Sequence, residues 1–305
     1  KRIPLGISNY ELLITENYFY VDRTMFLEKM EAIPNPYQFL LRPRKFGKSL
    51  FLSMMQYYYG VEYKDKFDLL FGDFAIGKNP TPLRNSFYVI VFDFSGIQTS
   101  VAGSVQDEFT AKVASAIKEF CYRSSLFDDA LTNSILSQPT AGIMIQRLFD
   151  EFGHVSQGKS LFILIDEYDH FTNELLSFNR DLFEVSVGQN GFVRKFFEVI
   201  KSATRNGIVA RFFATGVTPV TLDSMTSGFN IAKNLTIEQD FNEMLGFTEV
   251  QLQGLLEYYD IPDSKKVIED MRFFYNGSCF APFANGRLYN SHSVLYFLDH
   301  LQRTG

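Results

Sequence analysis

Three short stretches carry residue types that chemistry could use. The first is Arg42-Pro43-Arg44-Lys45-Phe46-Gly47-Lys48-Ser49, set between an apolar run, Tyr37 to Leu41, and a second one opening at Leu50. Strand, turn and helix in that order bring backbone N–H groups and a helix N-terminus to face an anion. A lysine there reaches terminal phosphates, and a hydroxyl binds Mg²⁺. The usual pattern is Gly, four residues, then Gly-Lys-Ser/Thr; here Arg42 stands at the first Gly position. Taken alone, the stretch also fits an ordinary basic strand-to-helix turn. The second stretch is Leu161 to Ile165, which runs straight into Asp166-Glu167. At such a strand end the first acid can hold Mg²⁺, usually through water, and the second can polarise an attacking water as general base. The third is Ile208 to Gly216, with Thr215 near its end. That threonine can sense a terminal phosphate or orient water; it can equally close a strand-end turn.

These stretches need a scaffold that brings them together. Phe87 to Phe94 reads as another near-continuous apolar strand, as expected where a parallel sheet is covered on both faces. Its Asp93 is either a site residue or a turn former. Apolar spacing predicts helices over 49–59, 104–123, 141–152 and 188–206, and 230–237 reads as a fifth strand. Alternating strands and helices predict an α/β fold: a mostly parallel five-stranded sheet with helices on both faces. Ligands then bind at the carboxyl ends of the strands, where Gly47-Lys48-Ser49, Asp166-Glu167 and Thr215 all fall. A second Gly-Lys-Ser, Gly158-Lys159-Ser160, precedes a strand instead of a helix and reads as a plain turn.

Either side of this core the pattern changes. Residues 1–36 read as an N-terminal arm that packs on the core or lies over a nucleotide base. It has a short strand or extended piece at 18–24 and a short helix after Thr24 as possible N-cap. From 241 to 305 only helical segments follow, at 248–259, 263–275 and 291–300, the pattern of a small helical lid. Arg272 there could reach a nucleotide or simply sit on the surface. The organisation expected is thus arm 1–36, core 37–240 and lid 241–305.

Composition narrows the classes. The chain has 305 residues, 33 Phe and 16 Tyr, enough apolar mass for a sizeable core. A net charge of -6 gives no global footprint for nucleic acid, although local basic patches stay possible, so a nucleic-acid partner is undetermined. Two cysteines and four histidines show no metal-ligand spacing, which argues against structural zinc and for a reducing, intracellular compartment, cytoplasm or nucleus. No run approaches the roughly 20 apolar residues of a membrane span, so no membrane partner is expected.

With these residues in view the chain resembles the AAA-ATPase-like family, close to archaeal-type and signal-transduction P-loop ATPases. The resemblance rests on Tyr20-Val21-Asp22-Arg23-Thr24, the Arg42–Leu50 loop, Leu164-Ile165-Asp166-Glu167-Tyr168-Asp169 and Ala214-Thr215-Gly216-Val217. It continues through Leu245-Gly246-Phe247-Thr248, Tyr275-Asn276-Gly277, Leu288-Tyr289-Asn290 and Ser293-Val294-Leu295. It covers essentially the whole chain. In that family an Arg-Pro-Arg-(Arg/Lys)-Phe-Gly-Lys-Ser loop is the normal form, so Arg42 is a family trait; Arg23 stands where Lys is common.

The resemblance implies a P-loop ATPase taking ATP and Mg²⁺. Arg44, Lys45, Phe46, Gly47, Lys48, Ser49 and Leu50 would bind nucleotide, with Ser49 and Asp166 at the metal. Lys48, Glu167 and Thr215 would be catalytic: Lys48 at the β/γ phosphates, Glu167 activating water, Thr215 at the γ-phosphate. A homo-oligomer could supply an arginine finger; Arg205 and Arg211 lie where related ATPases often place one. Many members carry a PD-(D/E)XK nuclease-like domain after the lid, and that domain would begin about where this chain stops. Within the chain, Glu62-Tyr63-Lys64 has the local form of such a nuclease but no acidic strand end before it. Two rivals to ATP hydrolysis remain. One is a non-hydrolysing nucleotide switch for a C-terminal effector or partner, for which Glu167 would be superfluous. The other is a small-molecule kinase, for which no acceptor pocket is legible.

Overall fold

The computed structural model describes residues 1–99, 104–219, 229–275, 277–284 and 286–304. A five-stranded parallel sheet forms its centre: β1 (Tyr37–Leu41), β2 (Tyr88–Asp93), β3 (Leu161–Asp166), β4 (Val209–Gly216) and β5 (Lys233–Asn234), in the order β2-β3-β4-β1-β5. The α/β class, the five strands, the helices on both faces and the helical C-terminal segment expected from sequence are all present. β4 separates the strand that feeds the Arg42–Ser49 loop from the strand that ends in the acids. Thr215 therefore stands between the two.

The continuous apolar runs have the cause inferred for them. In β3, Leu161, Ile163 and Ile165 enter one core while Phe162 and Leu164 enter the other. The first core is closed by helices Ser104–Ser124, Ala141–Val155 and Phe192–Arg205; the second by helix Lys48–Tyr59 with Tyr10–Thr15 and Phe67–Phe71. With both faces dry, neither side of a strand can carry a polar residue cheaply.

Several elements differ from expectation. The fifth strand is two residues long, because the Asn234 side chain accepts from the Thr236 N–H at 2.9 Å and turns the chain. Of the two forms read for residues 18–24, the strand is absent; Tyr18 makes an isolated bridge to Arg2. Thr24 does not cap helix Met25–Ala32 with its side chain. Its hydroxyl donates to Asp22 and accepts from the Ile76 N–H instead. Helices Asp129–Leu136, His170–Phe178 and Arg180–Val187 were not anticipated; each is short, and the first and last are started by Asp128 and Asn179 side chains. Asn276 of the Tyr275-Asn276-Gly277 stretch lies outside the described residues.

The arm is divided between two neighbours. Tyr10, Leu27 and Met30 belong to the core under the sheet, whereas Ile3, Leu5, Phe19 and Val21 pack on a third cluster. That cluster is built from helices Glu249–Tyr258, Ser264–Tyr275 and Ser291–Thr304. Among the described residues no helix is long and apolar enough to cross a membrane.

Candidate active site

The loop takes its shape from backbone that few residues tolerate. Lys45 has φ +67° and Gly47 φ +97°. A side chain at Gly47 would meet nothing closer than Ser291 Oγ at 4.0 Å, so the glycine answers the dihedral and not crowding. Gly47 caps the 12-residue helix Lys48–Tyr59, whose first-turn N–H groups have no intrahelical partner. Lys48 is buried, and its Nζ donates to the carbonyls of Arg42 and Pro43, both at 3.0 Å. Burial pushes the Lys48 ammonium below its ordinary pKa, while Asp166, Glu167 and Asp169 pull it back up. Those three acids lie at or just past the end of β3, with β4 between it and β1. Arg44, Lys45 and Ser49 are exposed. Phe46 is not: its ring is buried edge-on against Phe280 and beside Gly246, so only its backbone is available to a ligand. Leu50 is half-buried and packs on the core under the sheet.

The acid side is built from hydrogen bonds between two adjacent strand ends. Asp166 is buried; its Oδ1 accepts from the Thr215 hydroxyl at 2.6 Å and from the Glu167 N–H at 3.0 Å. That second bond holds Glu167 at φ +50°, a conformation rare outside glycine. Thr215 is 1% exposed and sits behind the carboxylate, which it orients. Asp169, fully buried, accepts from the N–H groups of Val217 (2.9 Å) and Thr218 (2.6 Å) and from Asn173 (2.8 Å). Tyr168 adds a bond from its hydroxyl to the Thr218 carbonyl at 2.6 Å. A Cβ at Gly216 would lie 2.4 Å from the Tyr168 ring and 2.6 Å from Asp169, so this position must be glycine for the two strand ends to meet.

His170 joins the two sides. Arg44 Nη2 lies 2.9 Å from its Nδ1, Glu167 3.7 Å from the same nitrogen and Glu174 3.9 Å from Nε2. In front of the loop lies a cavity of about 260 Å³. Lys45 to Phe51 and Glu167 form one part of its wall; Pro4, Ile7, Phe19, Tyr20, Phe247 and Leu295 supply apolar surface opposite. The arm packs on its neighbours, and Pro4, Ile7, Phe19 and Tyr20 of it line this cavity.

Arg42 has no contact with this cavity. It is 1% exposed, and its guanidinium donates to the carbonyls of Leu41 (2.8 Å), Thr236 (3.2 Å) and Phe241 (2.7 Å) with the Phe280 ring 4.0 Å away. Burial pushes its pKa down to about 10, which still leaves it charged at neutral pH. The position that looked like a missing glycine is the anchor at the root of the loop. Arg23 does similar work from the arm, reaching the carbonyls of Glu243 (3.1 Å) and Gly246 and the Gln251 side chain (2.8 Å). The motif Asp22-Arg23-Thr24 thus binds the arm to both neighbours; sequence alone offered it only as a resemblance. Asp169 and Gly216 likewise entered only within the resemblance, with no role of their own, although an acid three residues past Asp166 and a glycine at a strand end were the available signals.

Other candidates lie elsewhere. Arg272 Nε pairs with Glu249 on the surface at 2.7 Å. Asp93 accepts from the Ser95 N–H at 2.9 Å, as a turn former does. Arg211 lies 5.8 Å over the Phe162 ring, upstream of the β4 end, and Arg205 ends its helix exposed. Glu62, in a 3-10 turn, pairs with Arg123 at 3.4 Å.

Fold and site together define a P-loop nucleoside-triphosphatase architecture: a parallel sheet whose carboxyl ends bring a Gly-Lys-Ser loop beside a strand-end acid pair. The chain belongs to the AAA-ATPase-like family, described as "Predicted AAA-ATPase", whose model matches residues 4–226. It is also 23% identical over 290 residues to an "Uncharacterized protein in vnfD 5'region" of Azotobacter chroococcum mcd 1, covering 91% of this chain. The chain spans 48% of that relative's length. No solved structure matches.

Proposed function

We propose that this chain binds ATP with Mg²⁺ at the carboxyl ends of its strands and hydrolyses it. The observation that carries the reading is the juxtaposition of Lys48 with Asp166 and Glu167 across β4, with Asp166 oriented by Thr215 at 2.6 Å. Lys48 and the loop N–H groups hold the phosphates, with Arg44 and Lys45 adding positive charge. Glu167 takes the proton of the attacking water.

The residues fit Mg²⁺. Asp166 Oδ1 is occupied by Thr215 and the Glu167 N–H, and Oδ2 has no hydrogen bond among the described residues. Ser49 is exposed at the helix start. Among the described residues no group of three His, Cys, Asp or Glu forms a cage. A site of one carboxylate, one hydroxyl and substrate oxygens suits Mg²⁺, which keeps several waters and is commonly shared with phosphates. Ser49 and Asp166 would hold the ion, and it would supply charge neutralisation on the phosphates.

Phosphate release from ATP should be Mg²⁺-dependent, vanish with EDTA and fall at least about 100-fold in Lys48→Ala, about 2.7 kcal/mol of barrier. Release unaffected by either change sinks the proposal. An arginine from a neighbouring copy would be worth about 10³–10⁵ in rate. Specific activity should then climb with protein concentration; a flat profile removes the oligomer. A switch without turnover is the second reading, favoured by the loop's anchorage to distant segments through Arg42. In that reading ATP binds and the rate stays negligible. The finer roles, including any C-terminal effector, belong to this proposal.

A further inference from the structure

The loop has a second anchor, and it comes from the far end of the chain. Three successive loop carbonyls are taken by three successive residues. Asn290 Nδ2 donates to the Arg44 carbonyl at 3.0 Å, the His292 N–H to the Lys45 carbonyl at 3.2 Å, and the Ser291 hydroxyl to the Phe46 carbonyl at 3.2 Å. These residues open helix Ser291–Thr304, and they lie outside the span that the family model matches. Asn290 works in two directions. Its Oδ1 caps the helix, accepting from the N–H groups of His292 (3.0 Å) and Ser293 (3.3 Å), while its Nδ2 holds the loop.

Peptide planarity gives this arrangement a consequence. In a trans peptide the C=O of one residue and the N–H of the next point opposite ways. Fixing the carbonyls of Arg44, Lys45 and Phe46 therefore fixes the N–H groups of Lys45, Phe46 and Gly47, directed away from the clamp. Two of those residues hold left-handed dihedrals, a conformation that persists only where the surroundings impose it. Lys45, without glycine's freedom, most needs such support.

We propose that Asn290 and Ser291 are positioning residues for nucleotide binding: they set the phosphate loop's N–H donors before ligand arrives. Pre-organisation of this kind raises affinity by lowering the ordering cost of binding. The inference rests on the nucleotide-binding reading above. It also ties occupancy of the loop to the start of helix Ser291–Thr304, since coupling between two sites is reciprocal.

The test separates helix capping from loop clamping. Asn290→Ser keeps a good N-cap but is too short to reach the Arg44 carbonyl; Ser291→Ala removes the hydroxyl bond. Each variant should keep its melting temperature within a few degrees and its kcat within about twofold. KM and Kd for ATP with Mg²⁺ should rise about 5- to 10-fold, the range of one or two modest hydrogen bonds. A double variant with wild-type affinity overturns the proposal. Lys48→Ala is the control: if it too binds ATP normally, the nucleotide reading has failed, and if it alone loses binding, only the clamp has. Should the variants not fold, hydrogen exchange on the unaltered chain decides. ATP with Mg²⁺ should slow exchange of the His292 and Ser293 amides, and an unchanged rate there counts against the clamp.

Discussion

The two halves of the site are held by opposite means. On the acid side the hydrogen bonds that hold Asp166 and Asp169 run within residues 166–173 or between them and residues 215–218, two strand ends already adjacent in the sheet. On the loop side the holding residues come from far along the chain: Thr236 and Phe241 for Arg42, and Asn290 to His292 for the loop carbonyls. The first half is fixed by strands that pair with each other directly. The second is only as fixed as the C-terminal segment that grips it. Under the proposed function, chemistry that needs a set geometry, carboxylate and water, would sit on the first, and a loop that must accept and release a ligand on the second.

That contrast can be broken at two places. The largest effect should follow from Asp169→Ala. The change leaves the N–H groups of Val217 and Thr218 and the Asn173 amide without their buried acceptor, so destabilisation of about 3–5 kcal/mol is expected, read as a lower denaturation midpoint with nucleotide turnover lost. A variant that melts like wild type would mean the acid side is not held by this carboxylate. Arg42→Ala should come next, at about 2–4 kcal/mol, because buried carbonyls lose their donors. Its signature differs: in the fraction that remains folded, ATP affinity should fall while the fold's own spectra stay native. Unaltered affinity in folded Arg42→Ala would show that the loop does not need its root anchored, and the contrast between the halves would collapse.

The same contrast explains what could be read from sequence. Continuous apolar runs announced β2, β3 and β4, since strands buried on both faces admit little else. Asp166-Glu167 could be placed because it sits directly at the end of such a run, and Gly47-Lys48-Ser49 because it falls between the apolar β1 and an apolar helix. The helix after Asn290 was also announced, as a helical segment over 291–300. What Asn290 does with its other side-chain atom was not legible, because its partner, the Arg44 carbonyl, lies 246 positions away. Arg42 misled for a related reason. In a motif it reads as a missing glycine, and only its burial against Phe280 and the Phe241 carbonyl gives it a role. β5 came out shorter than its composition suggested because one side-chain bond at Asn234 ends it.

One measurement bears on the central claim more directly than the rest: ATP turnover and ATP retention measured together in Glu167→Gln. The amide keeps the shape of the side chain and cannot accept a proton from water. If Glu167 is the general base on a working phosphate site, the variant should bind ATP with Mg²⁺ as tightly as the wild-type chain while phosphate release falls about 10²–10⁴-fold. Equal release from the two proteins, whether fast or negligible, would contradict the account.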